Sequence, residues 1–213
     1  MKTILKYTGI PLLAVTLLAG CSKFDEVNKD PRLVTEEQVQ VEYFLNNAIV
    51  GSQQDPHIAE RIFVLYWKTA GRQQFGGGIS SGGYNDGWSS DYYGGSYMGG
   101  WLNGINTGVQ VAEKQIEAGK IKPYTNNLLQ ICRIWRVYLM SELADTFGPV
   151  PINTFQGENP EFADLKTVYY FLLDELKDAS SKLDIAVQGP DARFDPAYGY
   201  DYSKWQRYAN SMR

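Results

Sequence analysis

Few side chains in this sequence have the types and spacing needed for catalysis. His57 is the only histidine, and no Gly-x-Ser-x-Gly segment could form a nucleophile elbow, so a Ser-His-Asp arrangement is not supported. The two cysteines, Cys21 and Cys132, show no zinc-type spacing and are too few for a disulfide framework. The surroundings of Cys132 are apolar at helical spacing, which predicts a small buried side chain. No metal or other cofactor is therefore expected.

Carboxylate pairs are the remaining catalytic alternative. Asp86 with Asp91, or Glu142 with Asp145, could act as the acid and the base of a secreted glycosidase. Glu142 and Asp145, however, lie near a predicted helix end, where solvated acidic residues are common. The carboxylates therefore support an enzyme only as an alternative interpretation.

Cys21 has a different chemistry, because it directly follows an apolar run. Lys2 and Lys6 precede a short hydrophobic region at Ile10–Ala19, as in an export signal. Ten or so apolar residues reach about 15 Å as a helix, against about 30 Å of membrane hydrocarbon. The segment Leu18–Cys21 looks like a bacterial lipobox, in which the cysteine thiol is acylated. We therefore predict a signal peptide over 1–20 and lipid attachment at Cys21.

Residues 21–35 are predicted to form a tether between the acylated cysteine and the folded domain. Asp25 and Glu26 form an acidic cluster shortly after Cys21, which resembles the surface-export signal of Bacteroidetes lipoproteins. A turn is expected at 28–31, where Asn-Lys-Asp-Pro occurs. Acyl chains on one residue give stable anchoring, since each buried methylene contributes about 0.8 kcal/mol.

The composition limits the partners. The net charge is −4, and no basic stripe follows any face, so nucleic acid is an improbable partner. Aromatic residues make up 14% of the chain, with 15 tyrosines and five tryptophans. Tyr and Trp combine an apolar ring with a polar group and suit surfaces that hold a ligand, although a tyrosine-lined core would also use many of them.

The segment 71–108 differs from the rest of the chain. It holds 13 of the 21 glycines and seven aromatic residues. Glycine weakens regular elements, so we predict a long loop over 71–96. Long ordered loops in compact domains are commonly functional. Gly76–Gly78 lacks a following Gly-Lys-Ser/Thr and a preceding strand, which excludes a phosphate-binding loop.

The remaining chain shows apolar residues at spacings of three and four, which is typical of amphipathic helices. Thr35 to Gln38 reads as a capping box before the first of them. No clear series of strands appears. The predicted fold is all-α, built from antiparallel helix pairs with long Gly/aromatic-rich loops. The predicted helices cover 36–50, 55–71, 97–118, 124–146 and 167–183, and a last one starts at Ser203 after a loop over 189–200.

Three features together resemble one known family. They are the lipobox with its acidic tether, the segment 142–151 (Glu-Leu-Ala-Asp-Thr-Phe-Gly-Pro-Val-Pro), and the segment 204–213 (Lys-Trp-Gln-Arg-Tyr-Ala-Asn-Ser-Met-Arg). An Asp-x-Phe/Tyr-Gly-x-Val/Ile-Pro element and a Trp…Ala-Asn-Ser helix are typical of the SusD/RagB family of outer-membrane nutrient-binding lipoproteins. The chain is similar to that family over its whole length.

The resemblance implies a tetratricopeptide-like helical domain over 36–213, incomplete at its C-terminal side, because members usually run to about five hundred residues. The last helix would then lack partners for its apolar face. The resemblance also implies a lipid-anchored protein on the outside of the outer membrane of a Bacteroidetes-like bacterium. It would lie over a SusC-like TonB-dependent transporter and capture a glycan, or a peptide in a RagB-type member, without catalysis.

The family has no fixed ligand motif, so candidate residues come from the loop itself. Rings stack on the C–H faces of sugars, and polar side chains hydrogen-bond their hydroxyl groups. An alternative stays open for every residue, namely that the rings attach the loop to the helical body. The stacking candidates are Trp88, Tyr92 and Tyr93, and the polar candidates are Asn85, Asp86 and Arg72.

Overall fold

The computed structural model describes residues 38–53, 71, 73, 86–152 and 161–213. The chain divides into the units Met1–Val39 and Gln40–Arg213. Only Gln38 and Val39 of the first unit are described, so the fold below is that of the second. Its elements are α1 (Val41–Gly51), α2 (Asp86–Ser90), a π-helix (Asp91–Trp101), α3 (Leu102–Glu117), α4 (Thr125–Phe147), β1 (Val150–Pro151), β2 (Phe162–Ala163), α5 (Leu165–Ser181), a short 3-10 helix (Ala192–Phe194) and α6 (Tyr202–Met212).

Helices α3 and α4 form an antiparallel pair. Arg136 Nη1 donates a hydrogen bond to Asn106 Oδ1 across 3.4 Å. Two positions further along α3, a Cβ at Gly108 would lie 3.6 Å from Cys132 Sγ on α4. Residue numbers therefore rise along α3, from Asn106 to Gly108, while those of their neighbours on α4 fall, from Arg136 to Cys132. The two helices are therefore antiparallel.

Helices α4 and α5 repeat this arrangement. At one end, Asn127 exchanges two hydrogen bonds with the backbone of Asp184, of 2.8 and 2.9 Å. At the other end, the Tyr169 hydroxyl donates to Asp145. Consecutive antiparallel helices of this kind confirm the predicted all-α architecture.

The predicted helix faces account for most of the described core. Cys132 in α4 and Val168 in α5 are completely buried, as their spacing predicted. Helix α5 begins at Leu165, two residues before the prediction, because the Asp164 side chain accepts a hydrogen bond from the Thr167 N–H and caps the helix there. At the end of α4, Gly148 adopts a φ of 90°, and this confirms the predicted helix stop.

The first helix begins later than predicted. The prediction started it at residue 36, but Gln38 to Gln40 are not helical, and Gln40 has an extended backbone with φ −118° and ψ 136°. The buried face starts at Val41, which is only 1% exposed, so packing rather than the capping box sets this boundary. Thr35 lies outside the described residues.

The predicted loop over 71–96 is wrong for its last eleven residues, which are helical. Residues 86–101 form α2 and the π-helix, continuous with α3. The glycines do lower helix propensity, but burial of Tyr92 and Tyr97, at 2% and 1% exposed, outweighs that penalty.

A small sheet is present where no strand series was predicted. Val150 pairs with Ala163, and Pro151 pairs with Phe162, in an antiparallel ladder. Each strand has only two residues, too short for a period-two pattern to be visible in the sequence.

The last helix has partners, contrary to the expectation that its apolar face would be uncovered. Trp205 and Ala209 are completely buried. The Trp205 ring makes edge contacts with Trp135 of α4 and with Tyr198, at centroid distances of 6.0 and 5.2 Å. Helix α6 is therefore part of the core formed with α4 and α5.

A buried carboxylate joins α6 to the loop before it. Asp195 is 2% exposed. Its Oδ1 accepts from the N–H groups of Ala197 and Tyr198, at 3.0 and 3.2 Å. Its Oδ2 accepts from the Tyr200 N–H at 2.8 Å and from the Trp205 indole N–H at 2.7 Å. We call this arrangement the Asp195 clamp.

Charged side chains link α4 to α5 in what we call the charged cluster, which comprises Arg133, Arg136, Glu175 and Asp178. Arg133 forms a bidentate pair with Glu175, with distances of 3.1 and 2.6 Å. Arg136 Nη2 donates to the same carboxylate at 2.5 Å. Arg133 also donates to Asp178 at 2.7 Å.

Several predictions fall outside the described residues. They are the signal peptide over 1–20, the tether over 21–35 and, except for its last residue Gly71, the helix over 55–71 with His57. Among the described helices, none combines the length and the apolar character that crossing a membrane requires.

Candidate ligand-binding surface

The π-helix aligns three aromatic residues along one side. The rings of Tyr92 and Tyr97 lie 5.0 Å apart, and their hydroxyl oxygens are 3.3 Å apart, within hydrogen-bond distance. Tyr97 then meets Trp101 edge-on, with centroids 5.0 Å apart. These three rings, together with Tyr93 and Phe147, form what we call the tyrosine surface.

Phe147, the last residue of α4, supports two of these rings. Its ring is 5.2 Å from that of Tyr93 at an interplanar angle of 87°, an edge-to-face contact. It also lies 6.0 Å from the ring of Tyr92. The conformation of Gly148 ends α4 at this point, so the Asp-x-Phe-Gly element places an aromatic ring beneath the π-helix.

Of the adjacent residues Tyr92 and Tyr93 in the π-helix, only Tyr93 is partly exposed. Its hydroxyl oxygen is buried and has no hydrogen-bond partner among the described residues. Burial raises the pKa of its phenol, so Tyr93 is a neutral donor at physiological pH. A partly exposed aromatic ring of this kind can pack against the C–H face of a sugar.

Glu142, one turn before the end of α4, adds a negative charge near the tyrosine surface. Burial, and then the neighbouring charge of Asp145, raise the pKa of the Glu142 carboxyl. Burial raises the pKa of Tyr97 in turn, with added contributions from its hydrogen bond to Tyr92 and from Glu142. Within the described residues, no hydrogen-bond donor satisfies the Glu142 carboxylate, so it can accept a hydrogen bond from a ligand.

Replacing Glu142 by glutamine is expected to stabilise the protein at pH 7. The pKa of this carboxyl is higher in the folded protein than in the unfolded chain, so its ionised form opposes folding above the folded pKa. Glu142→Gln removes that effect at pH 7, and its benefit should vanish near pH 4, where the unfolded carboxyl of about pKa 4.3 is itself protonated. Urea unfolding midpoints of both proteins at the two pH values measure the difference.

The matched control is Glu113→Gln, at an exposed position on α3. It should leave the midpoint nearly unchanged at both pH values. A midpoint that falls for Glu142→Gln at pH 7 would mean that the carboxylate makes a stabilising contact, contrary to this interpretation.

The predicted stacking residues Tyr92 and Tyr93 differ in their exposure to solvent. Tyr92 is buried, with its ring between Tyr97 and Phe147, which favours the packing alternative for this residue. Tyr93 remains partly exposed on Phe147. Trp88 lies in α2, one turn before Tyr92, but its side chain is outside the described part of the structure.

The side chains of the polar candidates all lie outside the described residues. Asp86 begins α2, although its side chain lies outside the described residues. Asn85, Arg72 and the lipid-attachment residue Cys21 also lie outside them. Their roles therefore stay predictions. In the described ranges, no group of three or more His, Cys, Asp or Glu side chains could hold a metal ion.

Sequence reasoning missed the contributions of Phe147, Tyr97 and Trp101 to this surface. Phe147 was identified only as part of a family motif, and Tyr97 and Trp101 were assigned to an ordinary α-helix. The glycine pairs Gly94-Gly95 and Gly99-Gly100, five residues apart, are the sequence signal that matches the register of the π-helix.

Comparisons with known proteins agree with the fold and the motifs. The model of a SusD-like family, described as "Starch-binding associating with outer membrane", matches residues 31–213. A crystal structure of a SusD homolog from Parabacteroides distasonis superposes with a TM-score of 0.62 and 27% identity, covering 81% of this chain and 33% of that protein. A search of curated proteins found no match.

A second solved structure, described as "Bacteroidetes AC2a SusD-like", has a TM-score of 0.63 and 23% identity, and the match covers 82% of this chain and 32% of that one. At that identity the likeness shows the fold alone. The chain thus spans about a third of the length of the solved structures that it matches. Since the family match extends over most of the sequence, the chain belongs to the SusD-like family.

Proposed function

We propose that this chain is the glycan-capturing part of a lipoprotein on the surface of the outer membrane, and that it binds without catalysis. The family description supports starch or a related glycan as the ligand class. The observation that carries the proposal is the Tyr93 ring, which is partly exposed and is supported edge-on by Phe147.

The chemistry of the tyrosine surface suits a sugar better than it suits hydrolysis. An aromatic face packs on the C–H face of a pyranose, and the Glu142 carboxylate can accept hydrogen bonds from ring hydroxyls. The Asp145 carboxylate already accepts from Tyr169, which weakens the interpretation of Glu142 and Asp145 as an acid–base pair. Trp88, one turn from Tyr92, would extend the stacking surface along α2.

The proposed location of the protein follows from its N-terminal sequence. Acylation of Cys21 after removal of residues 1–20 would attach it to the outer membrane, and the acidic tether would direct it to the cell surface. From there it would deliver the glycan to a SusC-like TonB-dependent transporter. These steps rest on the sequence motifs and on the family's association with the outer membrane.

Removal of either ring is expected to weaken glycan binding. Tyr93→Ala and Trp88→Ala should each reduce affinity for amylopectin about tenfold, which corresponds to about 1.4 kcal/mol and to the upper range for one aromatic contact. Retardation in native gels that contain amylopectin, followed by calorimetric titration with maltoheptaose, measures the decrease.

The control for these variants is Tyr170→Ala, which removes a tyrosine of α5 that is 61% exposed and is not part of the tyrosine surface. It should bind like the wild type, and all three variants should keep the wild-type circular dichroism spectrum. If no glycan binds but peptides do, the ligand class is that of the peptide-binding alternative. Release of sugar products would instead indicate an enzyme.

A further inference from the structure

The segment Gly94-Gly95-Ser-Tyr-Met-Gly99-Gly100 repeats a glycine pair at an interval of five residues, the interval of the hydrogen bonds in a π-helix. The structure has such a bond at the end of the segment, where the Leu102 N–H donates to the Tyr97 carbonyl oxygen. The π-helix extends over eleven residues, whereas π-helical segments are ordinarily single turns. Something in this sequence must therefore favour it.

The second glycine pair leaves little room for a side chain in this register, and Gly99 leaves the least. A Cβ at Gly99 would lie 2.8 Å from the Gly94 carbonyl oxygen, and one at Gly100 would lie 3.0 Å from that of Gly95. Both obstacles are backbone atoms, which cannot rotate away as a side chain can. At Gly94 and Gly95, by contrast, an added Cβ would meet nothing within 4 Å.

The register decides which rings meet. In an α-helix with 3.6 residues per turn, positions five apart point about 140° away from each other. A π-helix, with its five-residue hydrogen bonds, brings them close to one face. The contact of Tyr92 with Tyr97, 5.0 Å between centroids and 3.3 Å between hydroxyls, is a five-residue contact of this kind.

We propose that Gly99 is a positioning residue of the tyrosine surface, with Gly100 in a weaker supporting role. The absence of a side chain there lets the π register form, and this register holds Tyr92 against Tyr97 and keeps the adjacent, partly exposed Tyr93 on Phe147, where a ligand would contact it. The link to ligand rests on the proposed function, whereas the link to the rings does not.

Three glycine-to-alanine variants of the full chain test this positioning role. All three raise helix propensity alike, by about 1 kcal/mol, but they differ in the space open to the new methyl group. We expect Gly99→Ala to replace the five-residue bonds by four-residue bonds and to separate the Tyr92 and Tyr97 rings. Gly100→Ala should have a smaller effect, and Gly95→Ala should keep the wild-type register. Crystal structures of the three variants report the register.

Affinity for amylopectin should follow the same order, with a decrease of about tenfold for Gly99→Ala and none for Gly95→Ala. A Gly99→Ala protein that keeps the π register, or that loses it with unchanged affinity, overturns the positioning role. If Gly99→Ala does not fold, Gly100→Ala is compared with Gly95→Ala by the same two measurements, the helix register and the affinity for amylopectin. Equal registers and equal affinities of these two variants then overturn the positioning role. Wild-type protein that binds no glycan contradicts the proposed function alone, because the ring positions in the three variants still decide the register.

Discussion

Asp195→Ala should lower the free energy of unfolding by about 4 kcal/mol. The substitution removes the acceptor that the Asp195 clamp offers to three backbone N–H groups and to the Trp205 indole. A buried donor without a partner costs about 1–3 kcal/mol, and some of these four will recover part of it from water in the space that the side chain vacates. Since whole domains are stable by about 5–15 kcal/mol, urea unfolding should show a large shift of the midpoint.

Two further variants separate the clamp from general effects of charge. Asp195→Asn keeps one oxygen but points an NH₂ group at donors on the other side, so its destabilisation should be at least half that of alanine. Asp191→Ala removes an exposed carboxylate whose partner, Arg193, is also exposed, and should shift the urea midpoint far less than Asp195→Ala does. Similar destabilisation by Asp191→Ala and Asp195→Ala would contradict the role given to the clamp.

Glu175→Gln is expected to have the second large effect, a decrease of about 3 kcal/mol in the free energy of unfolding, because it leaves two arginines at the α4–α5 interface without their shared carboxylate. Both arginine side chains are less than a fifth exposed, so water replaces the carboxylate poorly. The bidentate hydrogen bonds between Arg133 and Glu175 are the strongest of the interactions that this substitution weakens.

The destabilisation should depend on pH in a defined direction. Burial alone would raise the pKa of the Glu175 carboxyl, but the hydrogen bonds and charges of Arg133 and Arg136 outweigh burial and hold the pKa below its usual value. Its stabilisation is therefore complete above the unfolded pKa of about 4.3 and disappears as the pH falls through the folded value. The difference between Glu175→Gln and wild type, measured by urea unfolding, should shrink below about pH 4.

The control is Asp174→Asn, which neutralises an exposed carboxylate one position earlier on α5. Its effect should stay within about 0.5 kcal/mol at every pH. If Glu175→Gln is equally mild, the arginines find other partners and the charged cluster contributes little to the α4–α5 interface.

The helix pairs could be predicted because the residues that a helix buries recur along the sequence at intervals of three and four. Leu128, Ile131 and Trp135 recur at helical spacing on α4, and Val168, Leu172 and Leu176 do so on α5, and all six are buried. Long helices with one continuous apolar face leave little ambiguity. Their boundaries were accurate where a local device such as Gly148 ends a helix.

The π-helix could not be predicted by the same reasoning. Its aromatic residues recur at intervals of four and five, which fits no α-helical face, and its glycines are those of a loop. Tertiary burial of Tyr92 and Tyr97 outweighs the low helix propensity of the segment, and composition carries no information on that burial. The start of the first helix was missed for a related reason, since the buried face begins only at Val41.

The candidate site was predicted from residue types, which identify rings but not their orientation. Tyr92 and Tyr93 are adjacent in the sequence and equal in chemistry, yet Tyr92 is 2% exposed and Tyr93 is partly exposed. Both rings contact Phe147 on another helix, but only Tyr92 also packs against Tyr97. Contacts between elements distant along the chain are therefore what the sequence alone did not supply.

The short span of the Asp195 clamp bears on the order in which the chain refolds. Its four bonds join groups at most ten residues apart, whereas the ion pairs between α4 and α5 join residues 39 to 45 apart. Closing a short loop costs less chain entropy, so local contacts form sooner. We therefore expect the 195–205 segment to form its contacts early in refolding and to fix the position of the Trp205 ring. Helices α4 and α5 would then pack together more slowly, against that ring.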